Sequence, residues 1–142
     1  MRGKELVRMS VPRSQRQTSS LEFIMNARRL QIFTIERVDN FPNRRKQSTG
    51  YPLIADARYI HDNVKRANNL YPANQHEYEM RRDFLLLARG RLDSMIAQIE
   101  VAFEVCKFDV KILKTWSALC ANEITLINGV LESDKRRYSR LH

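Results

Sequence analysis

What this sequence has little of narrows it first. Four Gly and four Pro among 142 residues are too few turn-formers for the many short strands of a sandwich or barrel, which excludes an all-β fold. Two cysteines cannot staple a small secreted scaffold. Cys106 and Cys120 both lie in apolar helical stretches and read as free thiols that behave as small hydrophobes in a reducing compartment. His61, His76 and His142 stand in no ligand spacing with each other or with the cysteines, so neither a metal nor any other cofactor is expected. No apolar run approaches the roughly 18 residues that cross a bilayer, and the opening Met1-Arg2-Gly3-Lys4-Glu5 has no signal-peptide core. A cytoplasmic protein is the expectation.

The motifs of catalysis are also missing. There is no glycine-rich phosphate loop, no HExxH and no ExxH of the di-iron bundles. His61 and Asp62 are adjacent, and neighbours in a helix point in different directions, so they form no catalytic dyad. Glu100, Glu104 and Glu123 read as members of solvated helix faces. A non-enzymatic protein is expected.

What the chain does have is helical periodicity. Leu85, Ala88, Leu92, Met95, Ile99, Ala102 and Cys106 recur in steps of three and four, which puts them on one face of a helix. Leu53, Ala57, Ile60, Val64, Ala67 and Tyr71 do the same on an earlier segment, and Leu113, Trp116, Cys120, Ile124, Ile127 and Leu131 on a later one. Ahead of these, a first helix over about Leu21–Val38, with Ser19 or Ser20 as its N-cap, carries Phe23, Ala27, Leu30, Ile35 and Val38. It is apolar around much of its circumference, which implies burial against more than one neighbour. Asn40–Gly50 reads as a loop because Pro42 stops the first helix. Pro52 suits the first turn of the second, and Tyr71-Pro72-Ala73-Asn74 breaks it. The third runs from about Gln75 to Cys106, and Asp109 caps the fourth. Short connections predict an antiparallel up-down four-helix bundle. It occupies residues 20–134, between a flexible basic arm at 1–19 and a basic tail at 135–142.

Charge is the outlier. Twenty-five Lys and Arg oppose sixteen acids, a net charge of +9. Residues 1–19 carry five bases against one acid and residues 132–142 four against two, so the two ends hold two thirds of the excess. Within the body the bases cluster as Arg44-Arg45-Lys46 in the loop, Arg58 and Lys65-Arg66 on the second helix, and Arg81-Arg82, Arg89 and Arg91 on the third. Arg82 and Arg89, seven apart, share a face. Guanidinium matches phosphate in a bidentate manner, so these ten positions are the candidate contacts to RNA or DNA. No base-reading motif accompanies them, and binding should be dominated by the backbone. The alternative is a scaffold whose basic surface meets an acidic protein partner.

Phe41-Pro42 followed by a basic stretch, Ile60 and Asn63-Val64 on the second helix, a long third helix and a fourth carrying Trp116 together resemble one small family of four-helix bundles. It comprises the ribosomal-RNA intervening-sequence proteins and the accessory variability determinant of diversity-generating retroelements. The intervening-sequence branch follows its Asn with an Ile-Ala-Glu-Gly-like run. Here Asn63 is followed by Val64-Lys65-Arg66-Ala67-Asn68, which is more basic and closer to the retroelement branch. The resemblance implies a cyclic homopentamer that binds nucleic acid and associates with a reverse transcriptase, and it implies no catalytic residue.

Overall fold

The computed structural model describes the backbone of residues 13–141 and the side chains of residues 21–141. These residues form four long helices and no strand: α1 (Arg13–Asp39), α2 (Tyr51–Asn69), α3 (Gln75–Cys106) and α4 (Val110–Arg137). The arm expected over 1–19 lies outside the described residues as far as residue 12. From Arg13 onward it is helix, six residues ahead of the expected N-cap. Arg and Gln are strong helix formers, and no Gly or Pro separates Arg13 from Leu21. At the other end Lys135, Arg136 and Arg137 are the last turn of α4 rather than a tail, where their charge complements the helix carbonyls.

The expected loop is also wound. Asn43–Arg45 forms a helical turn and Lys46–Gly50 a π turn that runs directly into α2. Gly50 permits this corner. A Cβ there would lie 2.6 Å from Cγ1 of Val38 and 3.2 Å from Phe41, so the missing side chain lets the turn pack onto the end of α1. Asn74 starts α3 by accepting from the Glu77 amide at 2.9 Å, while the Glu77 carboxylate accepts from the Ala73 amide at 2.8 Å. This reciprocal arrangement satisfies donors that a helix start leaves unpaired. Lys107 ends α3 in the left-handed conformation, φ 56°, and Asp109 accepts from the Lys111 amide to open α4.

The principal packing partners of α1 are α2 and α4, and those of α3 are also α2 and α4. The predicted stripes of α2 and α3 are the core: Leu53, Ala57, Ile60, Val64 and Ala67 face Leu85, Ala88, Leu92, Met95, Ile99 and Ala102, all fully buried. Tyr71 falls beyond α2 and is exposed, and Cys106 is half-buried. On α1 the buried set is Phe23, Asn26, Ala27, Leu30, Thr34 and Val38; Ile35 is exposed. Thr34 takes the core position because it is satisfied there. Its hydroxyl donates to the Leu30 carbonyl at 2.8 Å and accepts from Nε1 of Trp116 at 3.0 Å. Trp116 also stacks within an aromatic cluster, 5.8 Å from Phe108 and 6.3 Å from Phe41, that closes this end of the bundle.

On α4 the buried side chains are Trp116, Cys120, Glu123, Ile127 and Asp134, while Leu113, Ile124 and Leu131 lie at the margin. Glu123 is therefore not on a solvated face. It is fully buried, and Oε1 accepts from Nδ2 of Asn26 at 2.9 Å. Asn26 also donates to the Leu119 carbonyl and accepts from Asn122. Burial pushes the Glu123 carboxyl up to about 8; the Asn26 hydrogen bond pulls the other way, and Glu22 adds to the rise.

Arg81 does not lie on the basic surface. It is buried, at 7% exposure, and cannot serve as a surface contact. Its Nε and Nη2 donate to the two carboxylate oxygens of Asp134, and its Nη1 donates to the Ala67 and Leu70 carbonyls at 2.8 and 3.3 Å. Those carbonyls lie at the C-terminal end of α2, where Leu70 is the capping residue and the Ala67 carbonyl also accepts from its amide at 3.2 Å. One guanidinium thereby ties α2, α3 and α4 together.

Candidate nucleic-acid interface

The helical spacing that forms the core also orders what lies beside it. Tyr78, Arg82, Leu86 and Arg89 follow one another along α3 in steps of four, four and three, so they line one flank. Asn128, Leu131, Glu132 and Lys135, at steps of three, one and three, line a flank of α4. Because α3 packs on α4, the two flanks enclose a groove of about 500 Å³. Arg89 crosses it, donating from Nη1 to Oδ1 of Asn128 at 2.8 Å.

Three cations, Arg82, Arg89 and Lys135, face a single carboxylate, Glu132. Glu132 sits 3.7 Å from Arg136 in a pair that is exposed on both sides, which contributes little energy. Of the two groove guanidiniums, Arg82 is the one without a partner across the groove. Its nearest charged partner is Asp83, at 3.9 Å, and its carbon lies 6.0 Å from the centre of the Tyr78 ring. Its Nε is shielded from solvent and has no hydrogen-bond partner among the described residues. Tyr78 also packs against Tyr138, whose ring centre is 5.9 Å away and tilted by 46°.

The remaining candidates are dispersed. Arg91 donates to Asp56 at 3.2 Å and lies 3.9 Å over the ring of Tyr59, so its charge is spent on joining α3 to α2. Arg58, Lys65 and Arg66 are exposed on α2, Arg58 with Asp62 at 3.7 Å. Arg44, Arg45 and Lys46 occupy the wound corner, where Arg45 and Arg44 lie close enough to Cys106 to act on its thiol. At 1.5 Å per residue, Cys106 is about 36 Å along α3 from Arg82, several Debye lengths at physiological salt. The groove and the corner are separate basic regions.

The sequence alone paired Arg82 with Arg89 but missed Lys135, Asn128 and Tyr78. The spacing of Tyr78 four residues before Arg82 was a readable signal. The contribution of α4 was not, because periodicity does not say which flanks meet. His61 is half-buried, with Nδ1 2.7 Å from Oε1 of Gln31; burial lowers its pKa, Asp62 opposing and Lys65 and Arg28 adding to the fall.

Among the described residues no helix is long and apolar enough to cross a membrane, and no group of three or more His, Cys, Asp or Glu is placed to hold a metal ion. No family model matches this sequence, and no curated protein or solved structure matches it.

Proposed function

We propose that this protein is a non-enzymatic nucleic-acid-binding accessory factor that brings RNA or DNA to a reverse transcriptase, as in a diversity-generating retroelement. The observation that carries the binding half is the α3–α4 groove, where three cations meet one carboxylate beside an aromatic ring. Backbone phosphates are the ligands that such a surface suits, with little discrimination between sequences. The reverse-transcriptase half rests on the resemblance in the sequence. An accessory role is supported by the surroundings of the thiols and of His61: Cys120 is buried, burial raises the half-buried Cys106 thiol, and His61 pairs with a glutamine rather than an acid. Bridging raises the effective concentration of template at the polymerase without any chemistry of its own.

The bundle reads as antiparallel and up-down. Asn26 meets Glu123 while Thr34 meets Trp116, and Arg81 meets Asp134 while Arg89 meets Asn128; in both pairs of helices one number rises as the other falls. A closed ring of copies, five by the resemblance, is supported by α1. Leu21, Met25, Ile32 and Ile35 are each at least 39% exposed on it, an apolar outer stripe that a neighbouring subunit would cover. Light scattering that gives a monomer mass at micromolar concentration would remove the ring from the proposal.

The test of binding is affinity for a labelled RNA measured across a salt series. A steep fall with salt is expected, and the Arg82→Ala/Arg89→Ala double variant should flatten the slope by about 0.7 for each lost contact to a single strand. The same variant should stop stimulating cDNA synthesis by the polymerase. Absence of binding at low salt would favour an acidic protein as the partner instead.

A further inference from the structure

The α3–α4 groove is more than a phosphate clamp. A clamp needs donors; this recess also has Leu86 and Leu131 in its walls and the ring of Tyr78 at one end. Apolar and aromatic walls beside three cations match a ligand that is flat and apolar at one end and anionic at the other. We propose that the groove takes an unpaired nucleotide of a single strand, its base against Tyr78 and the Arg82 guanidinium plane and its phosphate among Arg82, Arg89 and Lys135. This rests on the nucleic-acid reading above and narrows it to single-stranded over duplex ligands.

Several observations favour the unpaired nucleotide. A duplex keeps its bases stacked inside and presents a convex rim of phosphates, which would leave a recess of about 500 Å³ unfilled. Unpaired bases splay out and stack on tyrosine and on arginine planes, and such stacking tolerates any sequence. Tyr78 is held for that task by Tyr138, whose 46° tilt keeps the two rings from covering each other face to face. The Arg82 side chain is 43% exposed, which leaves its outer N–H donors within reach of a phosphate. Glu132 points the same way: a row of duplex phosphates would meet a like charge there, whereas an unpaired base offers it the N–H donors of its pairing edge.

The experiment compares a fluorescein-labelled 12-nucleotide single strand with the matching duplex, by anisotropy at 50 mM salt on the 142-residue chain. The single strand should bind at least about tenfold more tightly, and Tyr78→Leu should cost it about tenfold while leaving the duplex unchanged. Arg82→Lys keeps the charge and removes the plane, so it should weaken the single strand selectively even if Tyr78→Leu folds poorly by circular dichroism. Equal or tighter binding of the duplex, or equal losses on both ligands in Arg82→Lys, would overturn this inference while nucleic-acid binding stood. No binding of either ligand would overturn both.

Discussion

Glu123→Gln tests the polar core of the bundle. The glutamate is fully buried, and one carboxylate oxygen, Oε2, has no hydrogen-bond partner among the described residues. Burial raises its pKa from 4.5 to about 8. The folded protein therefore keeps a proton there that the unfolded chain releases above its ordinary value. Stability from this group is fully present below about pH 4.5, declines as pH rises, and is lost once pH passes about 8. A shift of that size at about 1.4 kcal/mol per unit corresponds to roughly 5 kcal/mol across the interval, a large share of a domain's stability. Glutamine retains the oxygen that accepts from Asn26 and carries no titrating proton. Urea unfolding of both proteins at half-unit steps from pH 5 to 9 should show nearly equal stability at pH 5 and a widening advantage for the variant toward pH 9. Asp56, raised mainly by burial, and His61, lowered mainly by burial, are unchanged in the variant, so their slopes cancel in the difference. A difference that stays flat with pH would refute the reasoning.

Arg81→Ala should lower stability by about 3–5 kcal/mol, because it strands the Asp134 carboxylate in the interior; it should do so in urea unfolding, and a surface role would instead leave unfolding unchanged. Gly50→Ala should cost about 1–3 kcal/mol through overpacking, since the new methyl would lie 2.6 Å from Val38; a thermal melt matching the parent would show that the corner yields. Burial pushes the Cys120 thiol up to about 12 and raises Cys106 less. A disulfide reagent at neutral pH should thus label Cys106 in the folded protein and Cys120 only after unfolding, and equal rates would contradict the burial.

The contrast between α2 and α4 shows how far sequence alone reaches. On α2 every core position but Asn63, whose amide donates to the Tyr59 carbonyl, is aliphatic, so a three-and-four spacing identifies the apolar stripe from Leu53 to Ala67. On α4 apolar residues occupy more than one face, and two core positions belong to acids. Periodicity assigned Leu113, Ile124 and Leu131 to the centre, but they sit at its edge, with Glu123 and Asp134 inside. A buried acid becomes legible only when its partner is known, and Asn26 and Arg81 are 97 and 53 residues away. The ten basic candidates divide for the same reason. Arg81 and Arg82 are neighbours in the chain, yet one is locked to Asp134 and the other opens onto the groove.

The sequence by itself determined the helices, the cap at Asp109, the apolar faces of α2 and α3 and the excess of positive charge, because each depends on residues a few positions apart. Only the tertiary structure decided that Asn43–Gly50 is wound rather than loose, since that depends on Gly50 reaching Val38. It likewise decided which cations remain available, because whether a guanidinium is neutralised or presented depends on what a different helix brings to meet it.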